Sequence, residues 1–287
     1  MYRLIAIVGF ALVISACSPG SQEVSITTTT SVATTTTRAP SNEICIAGDL
    51  PFGDDGLIAA LGEDTGDAAS VADIRWDPSA TCERITVTFG AVSAAPAGTL
   101  GPTGVSVIPY AGVVRIALPP GVKVSAIADS LLEGDLVRAV YVFRRDDHLA
   151  IDIHALDDVP IVARAFTTAS PASLVVDVAR ASTDAVPVGV TASQSVVVVN
   201  PTPGPGTYPI PVDGYVAPGA TSVHVQLVTD GVTLTDQTIA LRGDTDAWQS
   251  FEAAIDDGPI GSVVVFVGSV DDDGQPDRGA MVSVTVE

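Results

Sequence analysis

Cys82-Glu-Arg-Ile-Thr-Val-Thr-Phe89 and His148-Leu-Ala-Ile-Asp-Ile-His154 decide the fold class. In the first, Ile85, Val87 and Phe89 alternate with Arg84, Thr86 and Thr88; in the second, Leu149, Ile151 and Ile153 alternate with Ala150, Asp152 and His154. Alternation with period two sends one set of side chains into a core and the other toward water, as in a half-buried β-strand. Leu174, Val176 and Val178 repeat the pattern against Ser173, Val175 and Asp177. Further strands are predicted over 71–76, 113–118, 136–144 and 161–166, separated by Gly, Pro and Asp turns. Beyond a Pro/Gly-containing link near 184–191, Val223, Val225 and Leu227, then Val263, Val265 and Val267, then Val282, Val284 and Val286 alternate in the same way. The expected fold is all-β, with two β-sandwich-like domains over 43–183 and 192–287. A helix of one or two turns, capped by Ser125 and bounded by Gly134, is expected over 125–133.

Ahead of these domains the chain reads differently. Arg3, an apolar run from Leu4 to Ala16, and the close Ile14-Ser-Ala-Cys17 have the build of a secretory signal ending in a lipobox. The run is shorter than the roughly 20 residues that a bilayer core requires. The expectation is therefore a signal peptide over 1–17, lipidation of Cys17, and a product held outside the cytoplasm by its lipid. Residues 18–42 are rich in Ser, Thr, Pro and Ala, with threonine runs at Thr27 to Thr30 and Thr34 to Thr37. Such a composition buries too little apolar area to offset chain entropy, so a disordered linker is expected, either a bare spacer or a carrier of O-linked sugars.

Charge restricts the partners. The 287 residues carry a formal net charge of -21, and Lys123 is the sole lysine. Nucleic acid is excluded as a partner, because binding phosphate draws on Lys and Arg that release counterions. Neutral glycans, proteins and divalent cations remain open. Of three cysteines, Cys17 belongs to the lipobox, which leaves Cys45 and Cys82 as an even pair for a disulfide in an oxidising compartment. Such a bridge stabilises by about 3–4 kcal/mol on the chain-entropy account.

Several motifs invite a chemical reading. His148, Asp152 and His154 share strand parity, so two imidazoles and a carboxylate face one way; either this is an exposed polar face or it serves a metal-dependent hydrolase. His224 points outward with no partner evident in the sequence. Ser269, Asp271, Asp273 and Asp277, with Gly274, follow the spacing of a calcium loop, although Ala280 stands where a bidentate glutamate is usual. The rival reading is a solvated hairpin turn without an ion. Gly98-Thr-Leu-Gly-Pro-Thr-Gly104 lacks the Gly-Lys-Ser/Thr of a phosphate cradle and reads as a flexible loop. The pairs Asp54-Asp55, Asp146-Asp147 and Asp157-Asp158 fall in turns, where adjacent carboxylates diverge. No cysteine is left as a nucleophile.

Two resemblances add to this. The order Val71-Ala-Asp-Ile-Arg-Trp76, Cys82-Glu-Arg-Ile-Thr-Val-Thr-Phe89, Val114-Arg-Ile-Ala-Leu118, Leu149-Ala-Ile-Asp-Ile-His154, Val162-Ala-Arg-Ala-Phe166 and Leu174-Val-Val-Asp-Val178 resembles an AMIN-like domain of actinobacterial envelope lipoproteins. It implies a non-catalytic targeting or binding module. Asn200-Pro201, Val212-Asp-Gly-Tyr215 and Trp248-Gln-Ser-Phe251-Glu252 resemble the immunoglobulin-like domain first recognised in bacterial spore germination proteins. That likeness implies Trp248 and Phe251 in a sandwich core. The expected activity is non-enzymatic and needs no cofactor: a lipid-anchored cell-envelope protein that binds a wall glycan or an envelope protein through its β-domains. The alternatives are an accessory subunit of a wall-remodelling or sporulation-type assembly, and the metal-dependent hydrolase.

Overall fold

A computed structural model describes residues 45, 50–79, 81–183, 185–243, 246–271 and 273–287, all within the compact unit Pro40–Glu287. The signal peptide, Cys17 and the threonine-rich linker over 18–42 lie outside the described residues. The amino-terminal half contains β1 (Gly56–Leu61), β2 (Ala68–Asp77), β3 (Cys82–Ala91), β4 (Thr103–Ile108), β5 (Val113–Ala117), β6 (Val124–Ser125), β7 (Asp129–Leu131), β8 (Val137–Arg145), β9 (His148–Ala155), β10 (Ile161–Thr168) and β11 (Ser173–Arg180). The carboxy-terminal half contains β12 (Thr191–Ala192), β13 (Val196–Asn200), β14 (Gly204–Gly206), β15 (Ile210–Val216), β16 (Ser222–Thr229), β17 (Val232–Ala240), β18 (Trp248–Ile255), β19 (Gly261–Val270) and β20 (Pro276–Val286). The fold is all-β, as the alternation predicts.

In the first half, β1-β4-β5-β9-β8 faces β10-β11-β3-β2-β6. Ile85, Val87 and Phe89 meet Leu149, Ile151, Ile153, Leu174, Val176 and Val178 in one apolar core. In the second half, β18-β15-β13-β12 faces β14-β20-β19-β16-β17, and Val223, Val225, Leu227, Val263, Val265, Val267, Val282, Val284 and Val286 share a second core with Phe251. The halves are not beads on a string. β18 pairs in parallel with β8, Trp248 opposite Phe143 and Gln249 opposite Arg144, which joins one sheet of each half into a ten-stranded sheet.

The amino-terminal lead-in is tied down. Cys45 and Cys82 form a disulfide, and Gly53 exchanges main-chain hydrogen bonds with Ala163 at 2.8 and 2.9 Å. Arg164 donates to the Cys45 carbonyl at 2.7 Å, and its guanidinium lies 4.8 Å from the Phe52 ring. Beside Cys82, the buried Glu83 carboxylate accepts from Trp76 Nε1 at 2.8 Å and from the Leu136 and Val137 amides at 2.8 and 3.2 Å. A Cβ on Gly134 would fall 2.4 Å from that carboxylate, so glycine is what lets the chain pass.

Two local expectations are corrected. No helix forms over 125–133. Ser125 Oγ accepts the Ile127 amide two residues on at 3.1 Å, an ST-turn rather than a helix cap, while β6 pairs with β2 and β7 with β8. A nine-residue helix is marginal because nucleation is costly, and the strand edges offer bonds at once. Nor is the glycine-rich stretch a free loop: the Gly98 and Thr99 amides bind the Asp67 carboxylate at 2.9 and 2.8 Å, and Thr103 opens β4. These amide bonds, Thr99's first, hold the Asp67 carboxyl below its usual range.

Candidate functional site

Strand alternation that fills the first core also aims Arg115 of β5, Tyr141 and Phe143 of β8, and Asp152 and His154 of β9 at the opposite face. Register sets them side by side: Tyr141 and Arg115 both lie opposite Asp152, and Ala139 lies opposite His154. The expectation that this face meets water is overturned, because Asp152 and His154 are buried. Tyr215 of β15, Trp248 of β18 and Val197 and Val199 of β13 cover it, making a third apolar cluster between the halves. Phe143 stacks on Tyr215 at 4.6 Å between centroids, and Tyr141 meets Trp248 edge-on at 5.0 Å. Such pairs contribute about 0.5–1.5 kcal/mol each beyond area burial.

The Trp248–Phe251 expectation is likewise half corrected. Phe251 packs in the second sandwich core, but Trp248 packs in the joint. Residues three apart on a strand face opposite ways, so the two rings cannot share one core.

The buried charges Arg115 and Asp152 are paired in the joint. Arg115 grips Asp152 with two bonds, 2.9 and 2.8 Å, and its guanidinium lies 5.4 Å from the Phe143 ring. Burial pushes the Asp152 carboxyl up, against the Arg115 charge that draws it down. Burial pulls the Arg115 guanidinium down, and the Asp152 charge and hydrogen bonds more than offset this. His154 Nε2 is hydrogen-bonded to the Tyr215 hydroxyl, while its Nδ1 is buried without a partner. Burial, then the Arg138 and Arg115 charges, lower the His154 imidazole to about 3, so it is neutral at physiological pH. His148 lies at the start of β9, 3.4 Å from Asp147. The three residues proposed for a hydrolase thus share a strand face, yet each engages a different partner.

Clefts open along the joint, two of them with contrasting linings. One, of about 170 Å³, is polar: Arg115, Arg145, Asn200, Asp213, Ser250 and Glu252 line it over a floor of Phe143 and Tyr215. Asn200 Nδ2 donates to Asp213 at 2.7 Å and to the exposed Tyr110 hydroxyl at 3.3 Å; Arg145 bonds Glu252 at 3.0 Å. Burial raises the Asp213 carboxyl, with the Asn200 hydrogen bond opposing it. Asp213 and Tyr215 point to the same face because Gly214 lies between them. A Cβ on Gly214 would fall 2.0 Å from the Val197 carbonyl, so only glycine admits this strand approach. The second cleft, of about 470 Å³, is more apolar, with Leu131, Tyr141 and Trp248 as walls and Asp129, Ser193 and Gln194 at its rim. Trp248 Nε1 donates to Asp129 at 2.7 Å.

The remaining motifs sit elsewhere. Asp271 Oδ1 accepts the Asp273 and Gln275 amides at 3.0 and 2.8 Å, in a turn closed by Asp271 N–H to Gln275 O at 2.9 Å. Ser269 Oγ bonds the Arg278 carbonyl, and Asp277 pairs with Arg278. The four oxygens read as a calcium loop are therefore distributed along a hairpin, each with a protein partner except Asp273, whose carboxylate is in an exposed turn. Among the described residues, Cys45, Cys82 and Asp177 are the acid, thiol and imidazole groups close enough to hold one ion, and the disulfide and two arginines already engage them. His224, read as partnerless, bonds Asp236 at 2.9 Å across β16 and β17. Arg145 and Tyr110 stand in no motif of the sequence, since nothing in spacing links positions so far apart; Glu252 stands only as the end of the Trp248-Gln-Ser-Phe251-Glu252 segment. Asn200, Asp213 and Tyr215 carry the second resemblance, and that was the available signal. Neither a protein-family model, nor a curated protein, nor a solved structure matches this chain.

Proposed function

We propose that this chain is a non-catalytic, lipid-anchored protein of the cell envelope that binds wall glycan through the polar cleft at the joint. The observation that carries the reading is the composition of that cleft: guanidinium, carboxylate, amide and hydroxyl groups held on strands of both halves. Sugar hydroxyls both donate and accept, so a ring of mixed polarity suits them, whereas a single-sign cleft suits an ion. Asn200, Asp213 and Arg115 are fixed by one another or by Asp152, so little rotamer entropy remains to be lost on binding. The net charge of -21 favours a neutral glycan strand over a phosphate-rich polymer. Lipidation at Cys17 would hold the cleft close to the wall, where high local concentration makes weak contacts effective.

Retention on purified peptidoglycan tests the reading. The unit Pro40–Glu287 is expected to co-sediment with it. Arg145→Ala and Asp213→Ala, each half-buried at the cleft, are expected to cut retention at least fivefold with the circular dichroism spectrum unchanged. Undiminished retention in both variants, or none by the unaltered chain, removes glycan binding at this cleft.

A further inference from the structure

The second cleft lies beside a strand edge. β8 carries two neighbours along one edge: β7 opposite residues 139–141 and β18 opposite residues 143–144. β18 continues into β15, β13 and β12, whereas β7 has no outer neighbour among the described residues. Leu132 N–H donates to Arg138 O and Val142 N–H to Ala128 O, both at 2.8 Å, and Ser130 lies opposite Val140. In an antiparallel ladder bonding alternates, so the amides and carbonyls of Asp129 and Leu131 point away from β8. Trp248 and Tyr141 wall the apolar cleft beside that edge, and the β12–β13 turn at Ser193 and Gln194 closes its far side. Leu131 is 81% exposed, a large apolar side chain left in water at the cleft mouth. The volume of about 470 Å³ falls within the range of ligand sites.

We propose that β7 receives an extended segment of a partner protein by strand addition, with an apolar side chain of the segment in the Trp248–Tyr141 cleft and a basic residue beside it. Strand addition supplies main-chain bonds for affinity, and a pocket for alternate side chains supplies selectivity. Charge selects the basic residue. Asp129, Glu133 and Asp135 are exposed along β7 and the turn after it, while the nearby Arg138 is committed to Asp157 at 2.8 Å. The sum over the chain, -21, acts in the same direction. The inference concerns a different surface from the polar cleft and stands apart from glycan binding.

The probe is a fluorescein-labelled five-residue peptide, Lys-Thr-Leu-Thr-Lys, whose lysines share the leucine's face, followed by anisotropy against the whole chain at physiological salt. Saturable binding is expected, weakened at least tenfold when alternate peptide amides are N-methylated. Leu131→Pro is expected to weaken it similarly. This substitution removes an outward N–H and the exposed side chain but no bond to β8, so the melting temperature serves as the folding check. The same peptide with glutamates for lysines is expected not to saturate. Equal binding of methylated and unmethylated peptides would reduce the effect to charge attraction and overturn the proposal. So would equal binding of the acidic peptide, or no saturable binding of the basic one. The methylation comparison uses the unaltered chain and holds even where the proline variant fails to fold.

Discussion

Asp177 in Leu174-Val-Val-Asp-Val178 and Asp152 in Leu149-Ala-Ile-Asp-Ile153 hold matching places on β11 and β9, and both are fully buried on the face that alternation assigns to water. They are covered by different means. Asp177 is clasped by Arg84 at 2.6 Å and Arg164 at 3.0 Å, beneath a lead-in segment that Arg164 and the Cys45–Cys82 disulfide hold in place. Asp152 is clasped by Arg115 alone, beneath Tyr215 and Trp248 from the other half of the molecule. The first face is closed by the lead-in, which the disulfide ties to β3 and Arg164 ties to β10. The second is closed by strands of the other half, with no covalent link to hold them. What alternates in sequence is a face; whether that face is wet depends on what the rest of the chain lays over it.

The sharpest way to break this comparison is to remove each acid. Asp177→Ala strands the buried Arg164 together with Arg84, itself one-fifth exposed, and is expected to cost about 3–5 kcal/mol in urea unfolding. Asp152→Ala strands only Arg115, one-fifth exposed, and is expected to cost less, about 2–3 kcal/mol. Equal losses would mean that the two coverings desolvate their acids alike.

Next in size is reduction of the disulfide, expected to lower stability by about 3–4 kcal/mol. Its signature is local. Hydrogen exchange should quicken across β10 and β11, beneath the lead-in, with β8 and β9 protected as before. Uniform quickening would show that the lead-in supports the whole molecule rather than one face.

The smallest effect sharpens the account of the second face. His154 is neutral when folded, with its imidazole lowered to about 3, whereas the unfolded chain takes up the proton near 6.5. Between those values the unfolded state binds more protons, so stability falls as pH falls, by up to about 1.4 kcal/mol per pH unit. Denaturant midpoints between pH 6.5 and 5 are expected to decline with acidification, and His154→Gln is expected to flatten that slope. An unchanged slope in the variant would place the proton elsewhere.

Much of the first core was legible from residues 82–89, 149–153 and 174–178, because side chains two apart on a strand share a face whatever surrounds them. The helix expected at 125–133 failed because a short segment of weak preference yields to strand edges that local pattern does not display. The two clefts were largely hidden. Asn200, Asp213, Tyr215 and Glu252 stood out through one resemblance and Arg115 through the other, but nothing grouped them with each other or with Arg145, since β5, β8, β15 and β18 meet only in three dimensions.

By itself the sequence determined the strand-built class, the inward faces of both sandwiches and the pairing of Cys45 with Cys82. These depend on the two-residue pleat and on counting thiols. Only the tertiary structure decided that β18 docks on β8, that Asp152 and His154 leave water, and that Trp248 parts company with Phe251. A strand has two faces of nearly equal claim on burial, and the choice between wet and dry belongs to distant segments whose contact is settled by packing, not by local order.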